Sequence, residues 1–224
     1  MGKRQEARER IEAQIIELGR RQLVTEGAAN LSLRAIARDL GMVSSAVYRY
    51  VASRDELLTL LLVDGYSDLA DTVDRAREAS RGWRDEVLAI AQAMRRWAVS
   101  NPASWSLLYG SPVPGYRAPA ERTTGPGTRV IGALLTTIAD GVASGDVRTS
   151  DFHAALASSP EFDEVRREFG FPGDDAVLAK CFLAWAGIVG AISLEVFGQY
   201  GPDLAAPEVL FDTQVRLLIG VLSG

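Results

Sequence analysis

The chain has 224 residues, 24 Lys+Arg against 29 Asp+Glu, a formal net charge of −5 and a hydrophobic fraction of 47%. That balance belongs to a globular protein with ample core-forming material. A single cysteine, Cys181, excludes an intrachain disulfide framework and a cysteine zinc cluster, and a single histidine, His153, excludes multi-histidine metal sites.

All nine prolines stand at position 102 or later, so the first 101 residues are free to be almost continuously helical. Ile11, Ile15 and Leu18 recur at steps of four and three and give a first helix with one apolar face. Ser32 is an N-cap for a short second helix that turns Ile36 and Leu40 inward. Ala37 supplies a small side chain where two helices cross steeply, and Gly41 tolerates the positive φ of the turn that follows. Val47 then plugs the core from a third helix, Ser44 to Tyr50, which exposes Ser44, Ser45, Tyr48, Arg49 and Tyr50. Ser53 with Glu56 forms a capping box and predicts a helix from about Arg54, carried by Leu57, Leu58, Leu61, Leu62 and Leu69.

Further along, Trp83, Val87, Ile90, Met94 and Trp97 mark another long helix, and Val130, Leu134, Ile138 and Val142 the next. Residues 175–199 and 208–222 make two more, the latter opened by Pro207 with Phe211, Val215, Leu218 and Leu222 on one face. Four prolines and four glycines between Gly110 and Gly127 predict a loop there, with a composition that permits a lid over a pocket. Sustained period-2 alternation is absent, so the expected fold is all-α. No positively charged start leads into an apolar run, which argues against a secretory signal. The uncharged stretch from Cys181 to Leu194 is shorter than the roughly 18–20 residues needed to span a bilayer, so no membrane partner is expected.

Charge is unevenly placed. Residues 1–60 hold 10 Lys+Arg and 8 Asp+Glu, a net +2, and the rest of the chain a net −7. A basic head on an acidic body suits a head that meets a polyanion. The two short helices joined at Gly41 then read as a helix-turn-helix, whose second helix carries hydroxyls and an arginine suited to phosphates and base edges. The same spacing is also compatible with a plain helical hairpin of a bundle.

The stretch SLRAIARDLGMVSSAVYRYVASRDELL, with the helix before it, resembles the DNA-binding domain of TetR/AcrR-type transcriptional regulators over roughly residues 8–65. Ile15, Ile16, Leu18, Leu23 and Gly27 match the family's first helix, Ser32, Ile36 and Ala37 its second, Val47 to Val51 the end of its recognition helix, and Arg54 the basic residue opening its fourth. Two positions depart from the pattern. Val43 stands where a serine is common, which passes any capping to Ser44, and Val51 stands where a phenylalanine is usual, which implies a looser joint to the fourth helix.

The resemblance implies a helix-turn-helix domain over residues 1–53, a linking helix over 54–78 and a larger helical bundle for ligand binding and dimerisation within 54–224. It implies that Ser32, Tyr48, Tyr50 and Arg54 clamp phosphates, that Ser44, Ser45, Ala46 and Arg49 face the groove, and that Arg34 joins the same DNA-binding set. Lys3 and Arg4, ahead of the first helix, resemble the family's basic arm. Its implied partner is a palindromic or near-palindromic double-stranded operator, bound by a homodimer. By resemblance and by composition, Gly187, Gly190 and Ala191, with Leu194, Val215, Leu218, Ile219 and Leu222, are the dimer candidates.

The C-terminal part is similar to an actinobacterial-type subgroup of the family. Met94, Trp97, Trp105, Tyr109, Tyr116, Phe182 and Trp185 are candidates to line a pocket for an unknown small-molecule effector, with Arg95, Arg122 or Glu195 to orient a polar group. No cofactor, metal or catalytic set is expected: Asp174 with Asp175 and Asp163 with Glu164 read as helix caps, and His153 has no nucleophile beside it. A cytoplasmic repressor released by its ligand is the implied function. A helical protein–protein adaptor with a degenerate helix-turn-helix is the alternative.

Overall fold

The computed structural model describes residues 2–148 and 160–224, leaving the side chains of Lys3 and Arg4 aside. His153 lies outside the described residues. Ten α-helices and no strand occur among those described: α1 (Lys3–Glu26), α2 (Leu33–Asp39), α3 (Ser44–Val47), α4 (Arg54–Arg77), α5 (Trp83–Ser100), α6 (Pro102–Tyr109), α7 (Ala120–Ala143), α8 (Pro160–Phe169), α9 (Asp175–Val196) and α10 (Pro207–Ser223). A 3-10 turn, Ala28–Asn30, joins α1 to α2. The all-α expectation is met.

Two compact units emerge from the packing. Unit 1 holds Met1–Asp68 and Asn101–Gly127, and unit 2 holds Leu69–Ser100 and Thr128–Gly224. This division does not follow the boundary drawn after residue 53. α4 and α7 each begin in unit 1 and end in unit 2, and α6 with the segment after it belongs to the head's unit.

Unit 1 is built on the apolar face anticipated along α1, α2 and α4. Ile15, Leu18, Ile36, Ala37, Val47, Val51, Leu57, Leu58 and Leu61 are all buried in one cluster. A Cβ at Gly19 would stand 3.2 Å from Leu57 and Leu61, so the bare glycine sets how closely α1 and α4 pack. Val51 is fully buried, so the valine fills its place in the core at the α3–α4 joint. Against this cluster lie Ala103, Leu107, Val113 and Tyr116, from α6 and the chain after it. Thr59 and Tyr116 share a hydroxyl bond of 2.8 Å, and Arg122 forks onto Glu56 at 2.7 and 2.9 Å.

In unit 2 the expected stripe of α5 (Trp83, Val87, Ile90, Met94 and Trp97) is buried, as are Val130, Leu134 and Ile138 of α7. Polar ties fasten the ends: Glu86 accepts from Arg77 and Thr137, and Asp146 accepts from Trp83 Nε1 and Arg84. The last two bonds hold the Asp146 carboxyl below its ordinary range, the indole bond first and the guanidinium second. Among the described residues α9 is the one helix whose length and composition would suffice to cross a membrane. Its buried face, Ala176 to Ile192 with Lys180 inside it, is that of a core helix.

Three expectations are corrected. The predicted loop from Gly110 to Gly127 is helical from Ala120, because a single missing N–H at Pro126 is outweighed by a helix that continues for four more turns into the core. The predicted recognition helix ends at Val47, and residues 48–50 continue as tight turns, with Arg49 and Tyr50 bonding three residues back. Lys3 and Arg4 stand in the first turn of α1 rather than ahead of it.

Candidate nucleic-acid interface

The turn between α2 and α3 is set by local chemistry. Ser32 caps α2 by accepting from the Ala35 N–H at 3.3 Å, and the Ser32 backbone is held in turn by the Gln22 amide. At the other end Gly41 sits at φ 64°, the Gly41 N–H bonds Arg38 O, and the Met42 N–H reaches back to Ala37 O at 2.9 Å. That pair of bonds is a Schellman motif, which closes the helix and reverses the chain. The bonding needs a left-handed residue at 41, which glycine adopts without strain.

Beyond the turn, Val43 is the N-cap of α3 with no side-chain cap bond, so Ser44 does not take over capping. Both Ser44 and Ser45 are exposed, as are Arg34, Tyr48 and Arg49. Tyr50 is half-buried beneath the Arg8 guanidinium. Ala46 is only 7% exposed and lies on the inner side with Val47, which removes it from the groove-facing set. A four-residue helix has one inner face, and Ala46 and Val47 fill it together. Arg54 is occupied within the protein, its Nη2 donating to Ala28 O and Ala29 O at 2.9 and 3.0 Å. It ties the 3-10 turn ahead of α2 to the start of α4, in place of a free solvent-facing guanidinium.

The candidates for a ligand pocket fall into two sets. In unit 1, Trp105 packs against Tyr109 at 4.4 Å between ring centroids, and Tyr109 meets Tyr66 edge-on at 6.3 Å. Burial raises both tyrosine hydroxyls above their ordinary range. In unit 2, Phe182 stacks on Phe162 at 5.9 Å, and Met94 and Trp97 are buried. Met94 and Trp105 have no accessible surface, so neither borders a space that admits a water molecule. They are core residues in this structure. Tyr109, Tyr116, Phe182 and Trp185 keep partial exposure.

None of the three polar candidates for orienting a ligand is a free charge. Arg95 grips Glu195 through two bonds of 2.6 and 2.7 Å, which raises the guanidinium's pKa, and Arg122 is likewise spent on Glu56. Asp174 caps α9 through Val177 N, as its position suggested, and Asp163 pairs with Arg166. Burial pushes the Cys181 thiol up to about 12, so it is no nucleophile near neutral pH.

On α9 and α10 the proposed dimer residues also divide. Val215 and Leu222 are sealed in the protomer's own core at 1% and 0% exposure and have no surface to offer a partner. Ala191 is buried with them. At Gly187 a Cβ would come within 2.9 Å of Leu218, so this glycine serves the packing of α9 on α10. Gly190 faces open space, beside exposed Leu194. Ile219 is half-buried. Sequence reasoning missed the outward residues Leu183 on α9, Phe197 at its C-cap, and Leu217 and Val221 on α10. Leu183, Gly187, Gly190, Leu194 and Phe197 run at steps of four, three, four and three, a signal present in the sequence all along.

Comparison with known proteins agrees with this geometry. Residues 15–61 match the model for bacterial regulatory proteins of the tetR family, and residues 87–218 match the tetracyclin repressor-like C-terminal domain. The chain belongs to the TetR family. The HTH-type transcriptional regulator Rv1816 of Mycobacterium tuberculosis is 67% identical over all of this chain and 97% of its own, and the regulator Mb1846 of Mycobacterium bovis is equally similar. Among solved structures, the regulatory protein SCO4313 is 30% identical, with a TM-score of 0.80 over 98% of this chain and 100% of that one. FadR of Bacillus subtilis, solved in complex with stearoyl-CoA, shares the fold at 13% identity, with a TM-score of 0.63 over 92% of this chain and 97% of its own. This TetR-family chain is a helix-turn-helix, DNA-binding transcriptional regulator and not an enzyme.

Proposed function

We propose that the chain is a homodimeric repressor that holds a palindromic or near-palindromic operator and leaves it when a small apolar or amphipathic ligand binds the C-terminal part. Residues 1–53 serve as the DNA-binding head, and residues 54–224 serve ligand binding and dimerisation, with α4 joining them. The observation that carries this reading is the exposed apolar stripe of α9 and α10: a face of leucines, valine and phenylalanine with a glycine at its centre is suited to a second copy of itself. Pairing two heads answers a physical need, since two recognition elements spaced about 34–36 Å apart read consecutive turns of one face of the duplex.

Ligand control rests on the half-buried aromatics Phe182 and Trp185 of unit 2, with Tyr109 and Tyr116 a separate set in unit 1, and on the stearoyl-CoA complex of FadR, a protein of the same fold. A ligand shifts DNA occupancy only to the extent that it binds the DNA-competent and DNA-incompetent arrangements with different affinity. A gel shift on the DNA upstream of the chain's own gene, at two salt concentrations and with saturated acyl-CoA esters added, tests the reading. Salt-sensitive binding that acyl-CoA weakens is the expected result. Binding that no added compound alters removes the ligand-release part, and no binding at either salt returns the protein to an adaptor role.

Within the head, Ser44, Ser45 and Arg49 face the groove, while Tyr48, Tyr50 and Ser32 hold phosphates, with Arg34 beside them. Arg49→Ala therefore costs about 1–3 kcal/mol more on the upstream DNA than on shuffled DNA, whereas Tyr48→Phe weakens both alike. Equal losses for Arg49→Ala on the two duplexes would reassign it from bases to backbone.

A further inference from the structure

The recognition turn shares its surface with α1. The Arg8 guanidinium carbon lies 5.7 Å from the centroid of the Tyr50 ring, and Arg8, Arg49 and Tyr50 line one open cleft. Arg8 Nε donates to Glu12 one helical turn on, at 2.7 Å. A guanidinium carries five N–H donors, so this pair leaves those of the two terminal nitrogens for another acceptor.

We propose that Arg8 is a further DNA-contact residue, its guanidinium clamping a single DNA backbone phosphodiester in this cleft beside Tyr50. The inference rests on the reading of Ser44–Tyr50 as the DNA-facing turn and adds α1 to that interface. Three features carry it. Arg8 is half-exposed and lines the same open cleft as Arg49, so the cleft is positively charged and accessible to a backbone phosphate of the duplex that Arg49 reads. The Arg8 guanidinium sits over the Tyr50 ring, and a planar fork matches phosphate oxygens two at a time. Glu12 neutralises Arg8 in the free protein through Nε alone, so a phosphate on the terminal nitrogens can join the pair without breaking it. Lys3 and Arg4, where the basic arm is expected, stand in the first turn of α1, whereas Arg8 stands further along the same helix, over Tyr50.

The full chain is titrated by fluorescence anisotropy against a labelled duplex of about 30 base pairs from upstream of its own gene, and against a shuffled duplex of equal composition, over about 50 to 200 mM salt. Arg8→Gln is expected to weaken both duplexes by the same factor and to flatten the plot of log Kd against log salt by about 0.9 per protomer. Arg8→Lys keeps the slope and binds several-fold more weakly, because the charge remains and the planar fork is lost. Glu12→Gln tightens both duplexes. Arg8 is half-exposed, and circular dichroism checks that each variant is folded. If wild-type protein binds and Arg8→Gln leaves the slope unchanged, the clamp is overturned and the DNA-binding reading stands. A loss confined to the upstream duplex also overturns it, since a phosphate carries no sequence. Wild-type protein that binds neither duplex at low salt overturns both.

Discussion

Leu217→Glu is expected to split the proposed homodimer and to reduce affinity for the operator by about a hundredfold or more, because a dimer gains its avidity from engaging two half-sites at once. Leu217 is 66% exposed on α10, with Val221 one turn further on, Leu183 and Leu194 exposed on α9 and Phe197 exposed at its C-cap. In a two-fold interface each substitution appears twice, so two carboxylates enter an apolar contact with no partner, at a cost of several kcal/mol. The exposed position means that the protomer itself loses little on substitution. Light scattering after size exclusion reads the oligomer directly, and anisotropy on the upstream duplex reads the consequence. A variant that stays dimeric with full affinity would place the interface on another face. Val215→Glu makes the control: this residue is buried in the protomer, so the variant unfolds rather than dissociates.

Trp105→Ala is expected to destabilise unit 1 by about 3–5 kcal/mol, read as a lower midpoint in urea unfolding. The indole is fully buried on α6 and packs on Tyr109, so its removal leaves a cavity as well as lost transfer energy. Were Trp105 instead the wall of an open ligand pocket, the loss would be small without ligand and large with it. A loss below about 1 kcal/mol in the ligand-free protein would therefore contradict the packing seen here. Because α6 and the chain after it share a core with α1 and α4, the same variant also weakens DNA binding, although position 105 is far along the chain from the recognition turn.

These two residues show where sequence reasoning works and where it stops. Trp105 sits in a stretch with no long periodic pattern, in an eight-residue helix announced only by Asn101–Pro102. On α9 and α10 the periodicity was legible, yet it could not say which stripe faces inward. Both faces of these helices are apolar, so Val215 and Leu222 looked like interface residues as readily as Leu217 and Val221. The capping box at Ser53 is half formed. Ser53 Oγ does accept from the Glu56 N–H at 3.1 Å, but the Glu56 carboxylate pairs with Arg122, 66 residues away.

The all-α class, the helix starts at Ser32 and Arg54, the turn at Gly41, the buried stripe of α5 and the family of the head are all legible in the order of residues. Each of these depends on residues within a turn or two of one another: a cap, a positive φ or a repeat of three and four. Packing is what turns Ala46 to the core, ties Arg54 to Ala28 and Ala29, sets Arg95 against Glu195 and stands Arg8 over Tyr50. Those outcomes depend on partners brought close by packing, and a charge or an apolar face acquires its role from the partner it meets.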